Sequence, residues 1–121
     1  MPQAFLTLTN IPANAVRDLM EDSDQGAQNL RFVRRPSRVT FAIDTNGAAN
    51  GVEYEVFSGD RQIVERSAVP AGGTAGVMPK LNEVGTTFLA ATDEIIKVRV
   101  RELDGVATSD INLPIAVDPI L

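Results

Sequence analysis

The 121-residue chain contains no cysteine, no histidine and no tryptophan. Without cysteine there is no disulfide staple and no thiolate nucleophile. Without histidine, the commonest general base, the commonest transition-metal ligand and the side chain that titrates near neutral pH are all missing. Serine triads, cysteine–histidine dyads and zinc hydrolase sites are excluded on those grounds, and no cofactor is expected. An enzyme built on this chain would have to run on carboxylates alone. Five phenylalanines and one tyrosine are the only aromatics, a poor supply of platforms for stacking a sugar or a base.

Long apolar runs are missing too. No uncharged stretch approaches the roughly twenty apolar residues of a membrane-spanning helix. The first sixteen residues carry no charged side chain, yet they lack the basic start and apolar block of a signal peptide. A net charge of −5 is expected to repel nucleic acid and anionic membranes. The chain therefore reads as soluble, with no membrane, nucleic-acid or small-molecule substrate partner expected.

What is present points to β structure. The apolar fraction is 44% and the charged fraction 22%, ordinary for one globular domain of this length. Seven prolines and nine glycines punctuate the chain into short elements. Residues 4–9, with Leu6 and Leu8 on one side, read as a strand. Residues 12–21 place Ala13, Val16, Leu19 and Met20 on one helical face and predict a short helix, with an irregular extended segment as the alternative. Glu21, Asp22 and Asp24 at its end oppose the helix dipole.

Residues 30–34 and 38–43 read as strands, with Val39, Phe41 and Ile43 alternating against Arg38, Thr40 and Ala42. Asn46-Gly47 and Asn50-Gly51 then supply turn residues, and Val52, Tyr54 and Val56 alternate with Glu53 and Glu55. This is the clearest hairpin pattern in the chain. Further strands are expected over 62–66, 86–91, 96–101 and 106–113. Residues 67–79 are uncharged and rich in glycine and alanine, and predict a long loop across the domain or against a neighbour. The fold class is all-β over residues 1–121: one antiparallel β-sandwich or jelly roll of seven to eight short strands, with at most one short helix near the N-terminus.

Several stretches invite a functional reading. Glu53 and Glu55 lie roughly 6–7 Å apart on one strand face, but a solvated face paired with Lys97, Arg99 and Arg101 explains them better. Asp22-Ser23-Asp24-Gln25-Gly26 has the alternating acids of a calcium loop but the wrong glycine position and no twelfth-place acid, so an acidic turn is favoured over a weak calcium site. Residues 71–76 lack the lysine of a phosphate loop. Gly72 and Gly73 instead either let the backbone lie against another surface or simply make a mobile loop. The run Arg31, Arg34, Arg35 and Arg38 suits phosphates or an acidic partner, but compensation by the acids just upstream, or a subunit contact, is favoured over nucleic acid.

The segment 111–121 is apolar and broken by Pro114 and Pro119. It reads as an extended C-terminal arm or an edge strand whose prolines discourage stray pairing. On that reading residues 114–121 serve assembly, and their removal leaves the domain folded. Expected contact residues are Phe5, Leu6 and Leu8 at one terminus, Ile115, Val117, Ile120 and Leu121 at the other, together with Arg31, Arg34, Arg35, Gly72 and Gly73.

Two stretches together carry a family likeness: VEYEVFSGDRQIVERSAVPAGG over residues 52–73 and AATDEIIKVRVRELDG over residues 90–105. This succession of strand, turn, strand and proline-glycine loop, then a charged alternating strand, resembles the small β-rich virion proteins of bacteriophages, the capsid-decorating and minor head kind. The resemblance implies a non-enzymatic structural protein located in the virion. It implies self-association into a homo-oligomer and docking on a capsid protein, to decorate or stabilise the shell. The alternative is a stand-alone β-sandwich binding module, adhesin-like or carbohydrate-binding.

Overall fold

The computed structural model describes residues 3–12, 14–23, 31–47, 50–74, 76–103 and 109–120. They form nine strands and two single-turn helices: β1 (Gln3–Ile11), β2 (Val16–Asp18), α1 (Leu19–Asp22), β3 (Ser37–Phe41), β4 (Asp44–Thr45), β5 (Val52–Ser58), β6 (Arg61–Ala68), α2 (Leu81–Val84), β7 (Thr86–Ala90), β8 (Ile96–Glu102) and β9 (Ser109–Pro119). One antiparallel sheet has the order β1-β9-β3-β7, with β4 also on β9; the other has the order β2-β8-β5-β6. The expected all-β sandwich is the observed architecture.

Period-two alternation builds the core between the sheets. Leu6, Leu8, Val39, Phe41, Ile111, Leu113, Ile115 and Val117 from the first sheet are buried in one cluster with Val52, Val56, Ile96, Val98 and Val100 from the second. Each such side chain contributes about 1.5–3 kcal/mol on leaving water. Phe41 and Phe88 meet edge to face, with ring centroids 6.1 Å apart, a geometry the ring quadrupoles favour. Leu19 and Met20 of α1 plug the same core, and Asp18 caps that turn by accepting from the Met20 N–H at 3.0 Å.

Three local expectations are corrected. The predicted helix over 12–21 is replaced by a turn, β2 and the single turn of α1. Asn14 sits at φ 60°, which no right-handed helix admits, and Val16 is exposed rather than facing a core. The stretch 38–56 is not a hairpin: β3 and β5 lie in different sheets. Both strands carry one mainly apolar face, Val39 and Phe41 on β3 and Val52 and Val56 on β5, and packing those faces against each other buries more than pairing edge to edge. The true hairpin is β5–β6, where Ser58 pairs with Arg61 and Gly59 holds φ 61° at the first loop position, as a tight hairpin turn demands. In the third correction, Phe32 makes only an isolated bridge to Ile95 where a strand over 30–34 was expected; Leu30 lies outside the described residues.

The C-terminal segment is neither an arm nor an edge. β9 lies inside its sheet, paired with β1 on one side and with β3 and β4 on the other. Ile115 and Val117 are buried in the core. Pro114 sits in mid-strand, where a proline removes a ladder hydrogen bond. Its carbonyl still accepts from the Ala42 N–H at 3.1 Å, and the paired strand is interrupted at residues 42–43, between β3 and β4, with its register on β9 unchanged across the gap. Pro119 pairs with Ser37 beyond the end of β1's ladder, so its missing N–H faces no described strand.

The loop 69–80 crosses from β6 to the outer side of β4 and β9, so the surface it lies against is the domain's own. Pro70 accepts from the Thr45 N–H and Gly73 donates to the Thr45 carbonyl, both at 3.0 Å. Buried Asn112 fastens the rest: its Nδ2 donates to Asp44 Oδ1 (2.7 Å) and the Thr74 carbonyl (3.0 Å), and its Oδ1 accepts from the Gly76 N–H (3.1 Å).

Two outcomes follow from this arrangement. Deleting residues 114–121 removes the middle of a sheet, so the truncated chain is expected to lose cooperative unfolding and dispersed amide resonances rather than persist as a folded domain. Asn112→Ala removes three hydrogen bonds made by a buried side chain, to the Asp44 carboxylate, the Thr74 carbonyl and the Gly76 N–H, and urea denaturation is expected to show a loss of about 1–3 kcal/mol.

Candidate functional site

One end of the sandwich gathers most of the exposed residues singled out in the sequence. The segment 31–36 runs across this end. It is held on one side by the β7–β8 turn, where Val33 donates to the Glu94 carbonyl (3.0 Å) and accepts from the Asp93 N–H (2.7 Å). On the other side Ile120 donates to the Pro36 carbonyl at 3.0 Å. Arg38 stands in register with Leu89 and with Asp118. Arg34, Arg35 and Arg38 are exposed beside three exposed apolar side chains: Phe32 at 47%, Leu89 at 58% and Ile120 at 44%. Among the described residues none of these three arginines forms an ion pair. Arg31 differs, pairing with Glu21 and lying 4.9 Å from the Phe32 ring centroid.

A carboxylate clamp ties the two sheets together at this end. Glu94 accepts from Arg61 Nε (3.0 Å) and Nη2 (2.6 Å), from the Ala91 N–H (2.6 Å) and from Ser58 Oγ (3.1 Å). The same Arg61 Nη2 also donates to the Leu89 carbonyl at 2.8 Å. The β5–β6 turn of one sheet is thereby tied to the end of β7 in the other. The paired guanidinium, with help from the Ala91 and Ser58 donors, holds the Glu94 carboxyl down at about 2, against an ordinary 4.5. Asp18 moves the opposite way: burial raises its pKa despite hydrogen bonds from the Met20 and Val98 N–H groups.

The outer face of the second sheet is a charge ladder. Glu53 stands opposite Arg101 and Glu55 opposite Arg99, while Arg66 on β6 reaches both glutamates at 3.8 Å. Arg99 and Arg101 stand opposite the glutamates as the sequence suggests, but the ion pairs form with Arg66, which the sequence reading did not name, and Lys97 stands opposite Phe57. A cavity of about 280 Å³ lies under the loop 69–80, lined by Ile43, Asp44, Pro70, Gly73, Pro79 and Val84 among others. Among the described residues no group of three or more carboxylates converges to hold a metal ion. Of the calcium-like turn, Asp24, Gln25 and Gly26 lie outside the described residues, and Asp22 accepts from the Asp18 N–H at 3.2 Å.

The structure sorts the predicted contact residues. Arg31, Arg34, Arg35 and Ile120 come together at the arginine end; Leu121 lies outside the described residues. Leu6, Leu8, Ile115 and Val117 are buried in the domain's own core and offer nothing to a partner. Phe5 stands apart on β1, 54% exposed. Gly73 is pressed on Asp44, whose Cγ would lie 2.7 Å from an added Cβ, whereas Gly72 meets open space. Sequence reasoning missed Leu89 and the Glu94–Arg61 clamp, whose members are 33 positions apart and carry no local signal. No family model matches the chain, and neither a curated protein nor a solved structure matches it.

Because the folded carboxyl titrates below its unfolded value, the clamp's contribution is fully present above about pH 4.5 and is lost as the pH falls through about 2. The stability gap between the parent protein and Glu94→Gln, measured by urea denaturation, is expected to be constant above pH 5 and to shrink steadily between these two values.

Proposed function

We propose that this chain is a non-enzymatic structural protein of a virus particle, which self-associates and docks on a capsid shell through the arginine end. The observation that carries the docking half is the meeting of Arg34, Arg35 and Arg38 with exposed Phe32, Leu89 and Ile120 at one end of the domain. Arginine and aromatic side chains among apolar ones are the composition enriched at protein interfaces. Guanidinium forks suit carboxylates of an acidic partner. A nucleic-acid partner fits less well, since the chain is acidic overall and Phe32 is the one aromatic at this end. The resemblance of residues 52–73 and 90–105 to phage virion proteins supplies the virion setting.

A second reading, a stand-alone binding module, is favoured by the cavity beneath the loop 69–80, whose proline and valine walls and single carboxylate would suit a small ligand.

Docking is tested on particles released by cells whose phage or prophage carries the coding sequence. The chain is expected to band with gradient-purified particles, and Arg34→Glu with Arg35→Glu is expected to leave it in the soluble fraction. A parent chain that never bands with particles overturns the reading.

A further inference from the structure

The cavity under the loop 69–80 is built from three parts of the chain. Ile43 precedes β4 and Asp44 begins it, Pro70 and Gly73 belong to the loop, and Pro79 and Val84 flank and end α2. The loop is pinned in place. Pro70 and Gly73 bond to the Thr45 backbone, and Asn112 holds Thr74 and Gly76. On the far side the Val84 N–H donates to the Lys80 carbonyl and the Gly85 N–H to the Leu81 carbonyl, both at 3.0 Å. The space of about 280 Å³ is therefore preformed, at the small end of the range for ligand pockets.

Asp44 is the one charged side chain among the described residues that line this cavity, and its two oxygens are not equivalent. Oδ1 accepts from Asn112 Nδ2 at 2.7 Å. Oδ2 has no hydrogen bond or ion pair among the described residues. The Gly73 backbone passes so close that an added Cβ would lie 2.9 Å from Oδ2, which sets this oxygen at the cavity wall. Lys80, next to Pro79 in the chain, pairs with Glu83 at 3.9 Å and does not line the cavity.

We propose that this cavity binds an ammonium group carried on a short apolar stem, with the ammonium on Asp44 Oδ2 and the stem among Ile43, Pro70, Pro79 and Val84. This rests on the binding-module reading and names its ligand class. A carboxylate beside apolar walls is screened less than one in open water, so a cation there makes a strong charge-assisted hydrogen bond. A guanidinium fork needs both carboxylate oxygens, and Asn112 already holds one. An ammonium is a point charge that a single oxygen can serve. A hard metal ion such as calcium takes six to eight oxygen ligands, whereas this cavity offers one carboxylate amid apolar walls.

The test is titration calorimetry on the full chain, with the amide shifts of Gly72, Gly73 and Val84 locating the ligand. Butylammonium and benzylammonium are expected to bind, and benzamidine and benzyl alcohol to bind at least about tenfold more weakly. Benzoate is expected not to bind. Asp44→Asn keeps an oxygen for Asn112 and removes the charge. It is expected to retain cooperative unfolding while weakening butylammonium binding at least about tenfold. Should that variant fold poorly, Val84→Trp, at a position 62% exposed, fills the cavity and is expected to abolish binding. Nα-acetyl-lysinamide separates the sources of the ammonium: binding tighter than butylammonium identifies a partner's lysine, weaker binding a free amine, and either supports the site. Benzyl alcohol, benzoate or benzamidine binding as tightly as benzylammonium overturns the ammonium assignment and keeps the binding module. So does butylammonium binding that survives both variants. A chain that binds none of these compounds loses the cavity site and the binding-module reading together, and keeps docking through the arginine end.

Discussion

The rest of the structure depends on β9 being buried on both of its faces and paired on both of its edges. Its inward side chains, from Ile111 to Val117, fill the space between the sheets. Its outward ones, Asn112, Pro114 and Ala116, are covered as well, with Asn112 fastened to the loop 69–80. A strand so placed positions everything around it. β1 is aligned on one side, β3 and β4 on the other, and the loop is fixed above. The missing donor of Pro114 is tolerated because β3 and β4 part opposite it without losing register.

The parts of this fold that were legible in the sequence are those with one wet face. Ile96, Val98 and Val100 alternate with Lys97, Arg99 and Arg101 because β8 has core on one side and water on the other. The opposing glutamates of β5 could be matched to these cations in advance. β9 was misread for the complementary reason. Buried on both faces, it shows no period-two contrast, and its prolines resemble edge protection. Pairing between β3 and β5 was misread because a turn signal marks where the chain bends, while burial of two apolar faces decides which sheet the next strand joins. The clamp at Glu94 was invisible, since a carboxylate and a guanidinium far apart in sequence announce nothing until the strands carrying them are placed. One of the four arginines in the run was legible: Arg31 finds its acid at Glu21, as the upstream acids suggested, and the three exposed arginines have no ion pair among the described residues.

Charge is distributed unevenly for a chain that is acidic overall. The outer face of the second sheet balances its ions locally, and β1 carries none. The arginine end holds cations without ion-pair partners among the described residues. Two surfaces of one small domain thus offer different chemistries: a solvated ladder on the second sheet, and a cationic rim around apolar side chains at one end.

The position of β9 also governs when the domain can fold. β1 and β9 are in register from Gln3–Ala116 onward, so β1 waits for a neighbour made about a hundred residues later, at some 5–20 residues per second. Until then β1 and β3 have no central strand between them, and the edges that β9 covers in the folded domain are bare. Pairings this distant in sequence are slow to close. During synthesis the growing chain therefore passes through an interval of several seconds in which its central strand is missing, and crowding on a polysome would favour premature contacts between neighbouring nascent copies.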